Sequence, residues 1–299
     1  MENSHEVNWD QAIWKEINDA VKMEMGKVRI AQKVFPTMMF DTNPTEIPND
    51  VINFQDPDGL SIKEGRTKPF VEIYQEFPLT NTQVGKEAQI KTCKTLARMA
   101  AKSLALAEDT ILFQGDTAKL PGNVKADLID SAAAGLLGEA NQQDANDDDE
   151  NKVTVPILVN RLVTSETKAV FGENVFSAVA EGRAILNSKA QAQNYALFLP
   201  TKVYADTHVP PSKASLVTTA ERLKPLVEGG FYGTGTLPPD KGLLVALAGD
   251  PTCLYVGREA TTEFVRKEGS KYFFRVVERI QFVARDPRAF VLLNFEPPG

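Results

Sequence analysis

Pro69-Phe-Val-Glu-Ile-Tyr-Gln-Glu-Phe-Pro-Leu79, with the Gly- and Pro-free run from Lys86 to Gln114 behind it, is the stretch on which the fold turns. Val71, Ile73, Phe77 and Leu79 share one parity, and Glu72 and Glu76 take the other. That is the period-2 pattern of a strand with one wet face. In the following run Ile90, Cys93, Ala97, Ala100, Leu104, Ala107 and Ile111 step at helical spacing among Ala, Leu, Lys, Glu and Met. An unbroken helix over Lys86–Gln114 would span roughly 42 Å at about 1.5 Å per residue. Gly115 stands where a helix C-terminus wants a residue free to adopt positive φ. An extended arm feeding one long spine helix suits a chain that lies on a neighbour better than a lone monomer.

Working outward, 299 residues suffice for one large domain or two smaller ones. A hydrophobic share of 42% beside 24% charged residues is globular composition. The net charge of −7 argues against general nucleic-acid affinity, because phosphate binding wants a basic face. No apolar stretch reaches membrane-spanning length, and Met-Glu-Asn-Ser-His5-Glu lacks the basic and apolar parts of a signal peptide. Cys93 and Cys253 are read as buried thiols rather than a disulfide. Together these features describe a soluble, cytoplasmic chain without a membrane partner.

Asn8–Val34 reads as a helix whose acidic residues (Asp10, Glu16, Asp19) precede its basic ones (Lys22, Lys27, Arg29, Lys33), as the helix dipole prefers. Gly26 marks an expected break. Thr37–Arg66, with Pro44, Pro48 and Pro57, reads as extended chain and turns. Asn141–Asn151 is too polar to bury a face and is read as an exposed loop or disordered insertion. Val155–Val170 and Val175–Asn187 look helical, Leu197-Phe-Leu199 starts a strand, and Gly242–Gly249 is a buried strand. The remainder is β-rich. Leu254–Val256 and Thr261–Arg266 lead to a hairpin turn at Glu268-Gly-Ser270, followed by Tyr272–Ala284 and, after Asp286-Pro-Arg288, by the apolar strand Ala289–Phe295.

Catalytic chemistry finds little support. His5 and His208 are the only histidines, and no His or Cys cluster has metal-ligand spacing. A calcium loop beginning at Asp144 would need Gly and Glu where Asp149 and Val155 stand. Gly229-Gly-Phe-Tyr-Gly233-Thr-Gly235 lacks the Gly-Lys-Ser/Thr of a phosphate loop and is read as turn glycines. Glu108 and Asp109 point about 100° apart on a helix, which favours capping or ion pairing over a catalytic pair. No catalytic residue, cofactor or metal is assigned.

Pro69–Gly115, with its Pro-Phe-Val-Glu-Ile opening and its Glu108-Asp-Thr-Ile-Leu-Phe-Gln-Gly115 close, resembles the corresponding stretch of the encapsulins, the linocin-like shell proteins of bacterial and archaeal nanocompartments. Trp14-Lys-Glu-Ile-Asn-Asp19 is similar to the family's N-terminal helix. So are Leu254-Tyr-Val-Gly-Arg-Glu259, Glu278-Arg-Ile-Gln-Phe-Val-Ala-Arg-Asp-Pro287 and Ala289–Phe295 to its C-terminal parts. The resemblance is good over both ends and the first third, and thin from about Leu120 to Pro239.

This resemblance implies an α+β chain with the tailed-phage (Hong Kong phage-type) major capsid protein fold. Residues 1–40 would be an N-terminal helix on the peripheral domain, 45–80 the extended loop, 86–140 with 254–299 the peripheral domain, and 153–250 the axial domain. About 60 or more copies would close an icosahedral shell through heterologous contacts, weighing about 2 MDa in the smallest form. Family shells enclose a redox or iron-storing cargo enzyme that docks by a C-terminal peptide. The resemblance puts Met25, Ile30 and Val34 at apolar positions of that peptide's groove, with Gln32 and the Gly257-Arg-Glu259-Ala260 turn at its polar edge. Ordinary core packing of the same helix accounts for these residues equally well. Thr207-His208-Val-Pro210-Pro211-Ser212-Lys213 falls where the family places a pore loop, and it also reads as a generic surface loop. Some family members stack a flavin on a tryptophan near the arm. Thr80–Gly85 has no aromatic, so no flavin is expected there. The other reading of the fold is a prophage-derived major capsid protein packaging DNA. A small-molecule enzyme has no residue support beyond Glu108 and Asp109.

Overall fold

The computed structural model describes residues 7–53, 59–63, 66–141, 156–162, 167–210, 212 and 217–296. The chain begins with helices α1 (Gln11–Val28) and α2 (Ala31–Val34) and strand β1 (Thr37–Met39). Four short strands follow: β2 (Glu46–Pro48), β3 (Val51–Asn53), β4 (Ser61–Lys63) and β5 (Thr67–Pro69). Strand β6 (Val71–Thr80) leads through α3 (Asn81–Gly85) and α4 (Glu87–Ile90) into the spine helix α5 (Thr92–Gln114). Beyond it come β7 (Lys125–Asp127), α6 (Gly135–Glu139), β8 (Ile157–Val159), α7 (Glu173–Ser188) and β9 (Tyr195–Pro200). Next are α8 (Thr201–Thr207), α9 (Thr219–Leu223), β10 (Gly230–Thr234) and β11 (Lys241–Ala246). Two long strands, β12 (Thr252–Glu268) and β13 (Lys271–Ala284), and the strand β14 (Phe290–Phe295) complete it.

Two five-stranded sheets carry the molecule, in the orders β1-β12-β13-β6-β7 and β10-β9-β11-β14-β8. The main core joins α1, α5, the inner face of the first sheet and one face of the second. A second core packs the other face of that second sheet against α7. Alternation divides each strand between them: Phe198, Leu243, Val245, Phe290 and Leu292 enter the main core, while Leu197, Leu199, Leu244, Val291 and Leu293 enter the other. Strands apolar on both faces follow directly from that position. Phe198 marks the junction, with Phe35, Phe113 and Tyr232 at ring-centroid distances of 5.9, 5.1 and 5.5 Å.

Several expectations are met. Val71, Ile73, Phe77 and Leu79 are buried along β6, and Gly269-Ser270 turns β12 into β13. Both cysteines are buried and free. Others are corrected. The spine does not run unbroken from Lys86: Lys91 takes φ 51°, and the continuous helix is Thr92–Gln114, roughly 35 Å long. The Glu87 carboxylate accepts from the Cys93 and Lys94 amides at 2.8 and 3.0 Å, capping the helix where it restarts.

The first helix passes through Gly26 and breaks instead at Arg29, because Arg29 is drawn into the core and Asp109 accepts from the Ile30 and Ala31 amides, both at 2.9 Å. Val155–Val170 is not a helix where it is described. Ile157 and Val159 are buried around exposed Leu158, and β8 pairs in parallel with β14. Phe290–Phe295, grouped above with residues 254–299, lies in the second sheet between β11 and β8, the side of residues 153–250. The residues after Pro69, counted in the 45–80 loop, form β6 of the first sheet. Gly257–Ala260 is not a turn but a bulged part of continuous β12, where Phe70's ring would stand 2.9 Å from a Cβ on Gly257. The glycines of Gly229–Gly235 are not turn glycines as a group. Gly233 sits in β10, where a Cβ would come within 2.4 Å of the Tyr204 side chain. Of the acidic Asn141–Asn151 segment only Asn141 lies among the described residues.

Candidate functional site

Three surfaces carry the residues singled out by sequence. The first is the arm. Strands β2 and β5 pair antiparallel at its base, and β3 and β4 pair antiparallel farther out. The base is held by Ile47, buried with Phe70, Cys253, Tyr255 and Val283. Farther out the burial stops: Leu60 is 76% and Ile62 58% exposed. Large apolar side chains left in water on a two-stranded ribbon are unusual unless something else covers them.

The second surface is the corner between α1 and α2, lying on α5 and β12. Met25 is fully buried in the chain's own core, and its sulfur lies 3.2 Å from Arg29 Nη2. Ile30 and Val34 are half-buried against that core. Gln32 Oε1 accepts from Arg29 Nη1 at 2.8 Å. On β12, Ala260 is buried, while Glu259 stays half-exposed and pairs with Lys22 of α1 at 2.5 Å. Asn18 Oδ1 accepts from the Thr262 amide at 2.8 Å, a second tie between helix and strand. The residues matched to a peptide groove therefore gather at one corner. Core packing accounts for Met25 and Ala260, and Ile30, Gln32, Val34 and Glu259 keep accessible surface.

Sequence reasoning missed what sets this corner's register. Helices α1 and α5 run parallel and exchange charges along their length. Glu16 meets Lys91 and Lys94, and Glu24 meets Arg98 and Lys102. Arg29 reverses the sign by meeting Glu108 at 2.7 Å. Lys91 and Lys94 hold the Glu16 carboxyl down to about 2, and Arg98 foremost does the same for Glu24. The matching eight-residue spacings Glu16/Glu24 and Lys94/Lys102 were the available signal. The Glu108-Asp109 pair does what its angular separation suggested. Glu108 pairs with Arg29, and Asp109 caps α2.

Arg29 also contacts Glu278 of β13 at 2.5 Å, and Glu108 and Glu278 are both fully buried. Burial, and then each other's charge, pushes Glu108 well above the usual carboxylate range; burial also raises Glu278. Asp109 is pushed up to about 6 by burial, against the pull of its two amide donors. Among the described residues, no group of three His, Cys, Asp or Glu is placed to hold a metal ion.

Around Thr80–Gly85, a reciprocal cap between Thr80 and Gln83 starts α3. An aromatic does reach this stretch, from far away in sequence. Trp9 donates its indole N–H to the Val84 carbonyl at 2.9 Å and stacks on Phe274 with centroids 5.2 Å apart. That ring is thus committed to the chain's own packing.

The third surface follows α8. His208 is exposed, its Nδ1 lies 2.9 Å from the Tyr204 carbonyl, and its ring stands 4.7 Å from the Tyr204 ring. Asp206, two residues earlier, accepts from the Val170, Phe171 and Gly172 amides, which fixes α8 on the start of α7. Pro210 is exposed and Ser212 half-exposed; Pro211 and Lys213 lie outside the described residues.

Comparison with known proteins bears on the fold. Residues 159–281 match the family model Linocin_M18, described as an encapsulating protein for peroxidase. The match takes in residues 159–239 of the stretch from about Leu120 to Pro239 where the resemblance read from the sequence had been thin. No curated protein matches the chain by sequence. Among solved structures, the virus-like particle from Pyrococcus furiosus matches with a TM-score of 0.66 at 18% identity, over 94% of this chain and 99% of that one. The capsid of an empty GTA particle matches with a TM-score of 0.58 at 14% identity, over 89% of each chain. The capsid of Myoviridae phage XM1 gives 0.55 at 12% identity, over 90% of this chain and 92% of that one. At these identities the likeness is one of fold: the chain has the Hong Kong phage-type capsid fold.

Proposed function

We propose that the chain is a non-enzymatic shell subunit that assembles, in about 60 or more copies, into a closed icosahedral compartment of encapsulin type enclosing a cargo enzyme. The observation that carries this is the pairing of a capsid fold with a family model described as encapsulating a peroxidase. The arm supports self-assembly, because Leu60 and Ile62 lack cover within their own subunit. A redox or iron-storing cargo held through a C-terminal peptide fits the half-buried apolar edge at Ile30 and Val34, beside Gln32 and Glu259. In this reading the segment His208–Lys213 borders a pore and the compartment is cytoplasmic.

Negative-stain microscopy and native size exclusion of the purified full-length chain test it. Uniform hollow particles of megadalton mass that copurify a cellular protein are expected, and a discrete monomer or dimer refutes it. The second reading, a prophage-derived capsid packaging DNA, draws on the phage and GTA capsid matches. The N-terminal helix folded into the core and the family model favour the first. Particles filled with nucleic acid would reverse that preference.

A further inference from the structure

The corner between α1 and α2 holds an unusual charge balance. One guanidinium, Arg29, faces the carboxyls of Glu108 and Asp109 from α5 and of Glu278 from β13, all of them buried. Asp109 has two amide donors and can carry its charge there. Glu278 Oε1 has Arg29. Oε1 of Glu108 and Oε2 of Glu278 are buried with no hydrogen-bond partner among the described residues, and Oε2 of Glu108 has Arg29 Nε at 2.7 Å without hydrogen-bond geometry. The charged groups that face this cluster are few. Lys33 of α2 acts on Asp109, Glu259 of β12 acts on Glu278, and neutral Gln32 faces Glu108. If every carboxyl were ionised, +1 would meet −3 in the protein interior, which burial does not tolerate. One proton shared between Glu108 and Glu278, which converge on the same guanidinium at 2.7 and 2.5 Å, supplies a missing donor and removes one charge.

We propose that Glu108 and Glu278 share one proton beside Arg29, and that this proton latches the α1–α2 corner onto the spine, so that losing it in alkaline solution unseats the N-terminal helix. The hinge is already cut into the backbone. Arg29 leaves helical geometry at ψ 134°, so α1 can part from α2 without breaking an intact helix. Half-exposed Glu16 and buried Glu24, whose carboxyls are held down to about 2 by their Lys and Arg partners, stay charged around neutrality and leave the seam intact there. The latch is therefore the group in this seam that responds between neutral and alkaline pH.

Trp9 and Trp14 report on it directly. They are the only tryptophans, they sit at the start of α1, and both rings pack near Phe274. Tryptophan emission of the full-length protein is followed from about pH 7.5 to about 9.5, above the range in which Asp109, raised to about 6, titrates, with far-UV circular dichroism recorded alongside. The wild type is expected to show a reversible red shift at constant helix content, the closed-to-open ratio falling about tenfold per pH unit beyond the midpoint. Glu108→Gln keeps a donor but cannot ionise, and its emission is expected to stay flat across the window. Asp19→Asn, on the exposed face of α1, is expected to retain the transition. A wild type that is flat throughout, or a Glu108→Gln variant that shifts as the wild type does, overturns the proposal. Should Glu108→Gln not fold, Glu278→Gln is read by the same criterion. Amide exchange at Ile30 and Ala31 in the wild type is then decisive: protection that persists across the window rejects the latch.

Discussion

Replacing Leu60 and Ile62 together by Asp tests whether the arm is an assembly element or only a surface ribbon. Both side chains are largely bare in the subunit, 76% and 58% exposed, so the subunit loses little by the change. Fully burying a Leu or Ile side chain contributes about 1.5–3 kcal/mol, and scaling by those exposures gives about 2–4 kcal/mol for covering both on a neighbour. Each 1.4 kcal/mol is tenfold in an equilibrium constant, so each arm contact weakens by about thirtyfold to several hundredfold. In the proposed shell, where every subunit donates one arm and receives one, the loss recurs around the shell. The concentration needed for assembly should rise by at least about thirtyfold, read by light scattering and native size exclusion across a dilution series. Circular dichroism of the dilute variant should match that of wild-type subunits. Megadalton particles forming at the wild-type concentration would refute the reasoning, and a variant that is unfolded when dilute would show that the arm serves its own subunit.

Other perturbations probe the interior. Arg29→Met leaves Glu108 and Glu278 buried without their cation and should cost about 3–5 kcal/mol, seen as a lower urea midpoint. Adding Glu108→Gln to that variant should return part of the loss. Gly115→Ala puts a Cβ 1.9 Å from the Ala133 carbonyl oxygen at a position with φ 64°, so the backbone itself must shift. A loss above about 2 kcal/mol, or insoluble expression, is expected, and an unchanged melting temperature would contradict the contact. Asp109, raised to about 6 by burial, holds its proton more tightly folded than unfolded, so its contribution to stability falls as pH rises from about 4 to about 6. The stability of the wild type relative to Asp109→Asn should accordingly fall by about 2 kcal/mol over that interval, measured by urea unfolding at each pH.

The parts of this fold visible in the sequence are those set by local period. Alternation along β6 and β13, the hairpin at Gly269 and the C-terminal glycine of the spine each depend on residues close together in the chain. Where a distant group intervenes, local reading fails. Nothing around Lys91 announces a break, because Glu87 makes one by turning its carboxylate onto the next helix's amides. Gly26 was the weaker helix former, but Asp109, 79 and 78 residues from Ile30 and Ala31, moved the break to Arg29. Three residues of β8 cannot identify themselves as a strand without β14 beside them. The candidate groove was half legible for the same reason. The family resemblance put Met25, Ile30 and Val34 in one groove, and only the packing separates the buried sulfur from the half-open edge.

The position of β14 inside its sheet has a consequence for synthesis. Strands β9 and β11 are made earlier, and β8 earlier still, yet β11 and β8 have no direct pairing and are joined only through Phe290–Phe295. Neither core can close while those residues are inside the ribosome, since Phe290 and Leu292 fill one and Val291 and Leu293 the other. The arm's own strands, by contrast, are all made by Pro69, although its base waits for Cys253, Tyr255 and Val283. At about 5–20 residues per second, a nascent chain carries those strands for about 10–45 s before its own body can form. In the proposed shell, translation order would thereby delay lattice growth until each subunit is whole, without a dedicated inhibitor.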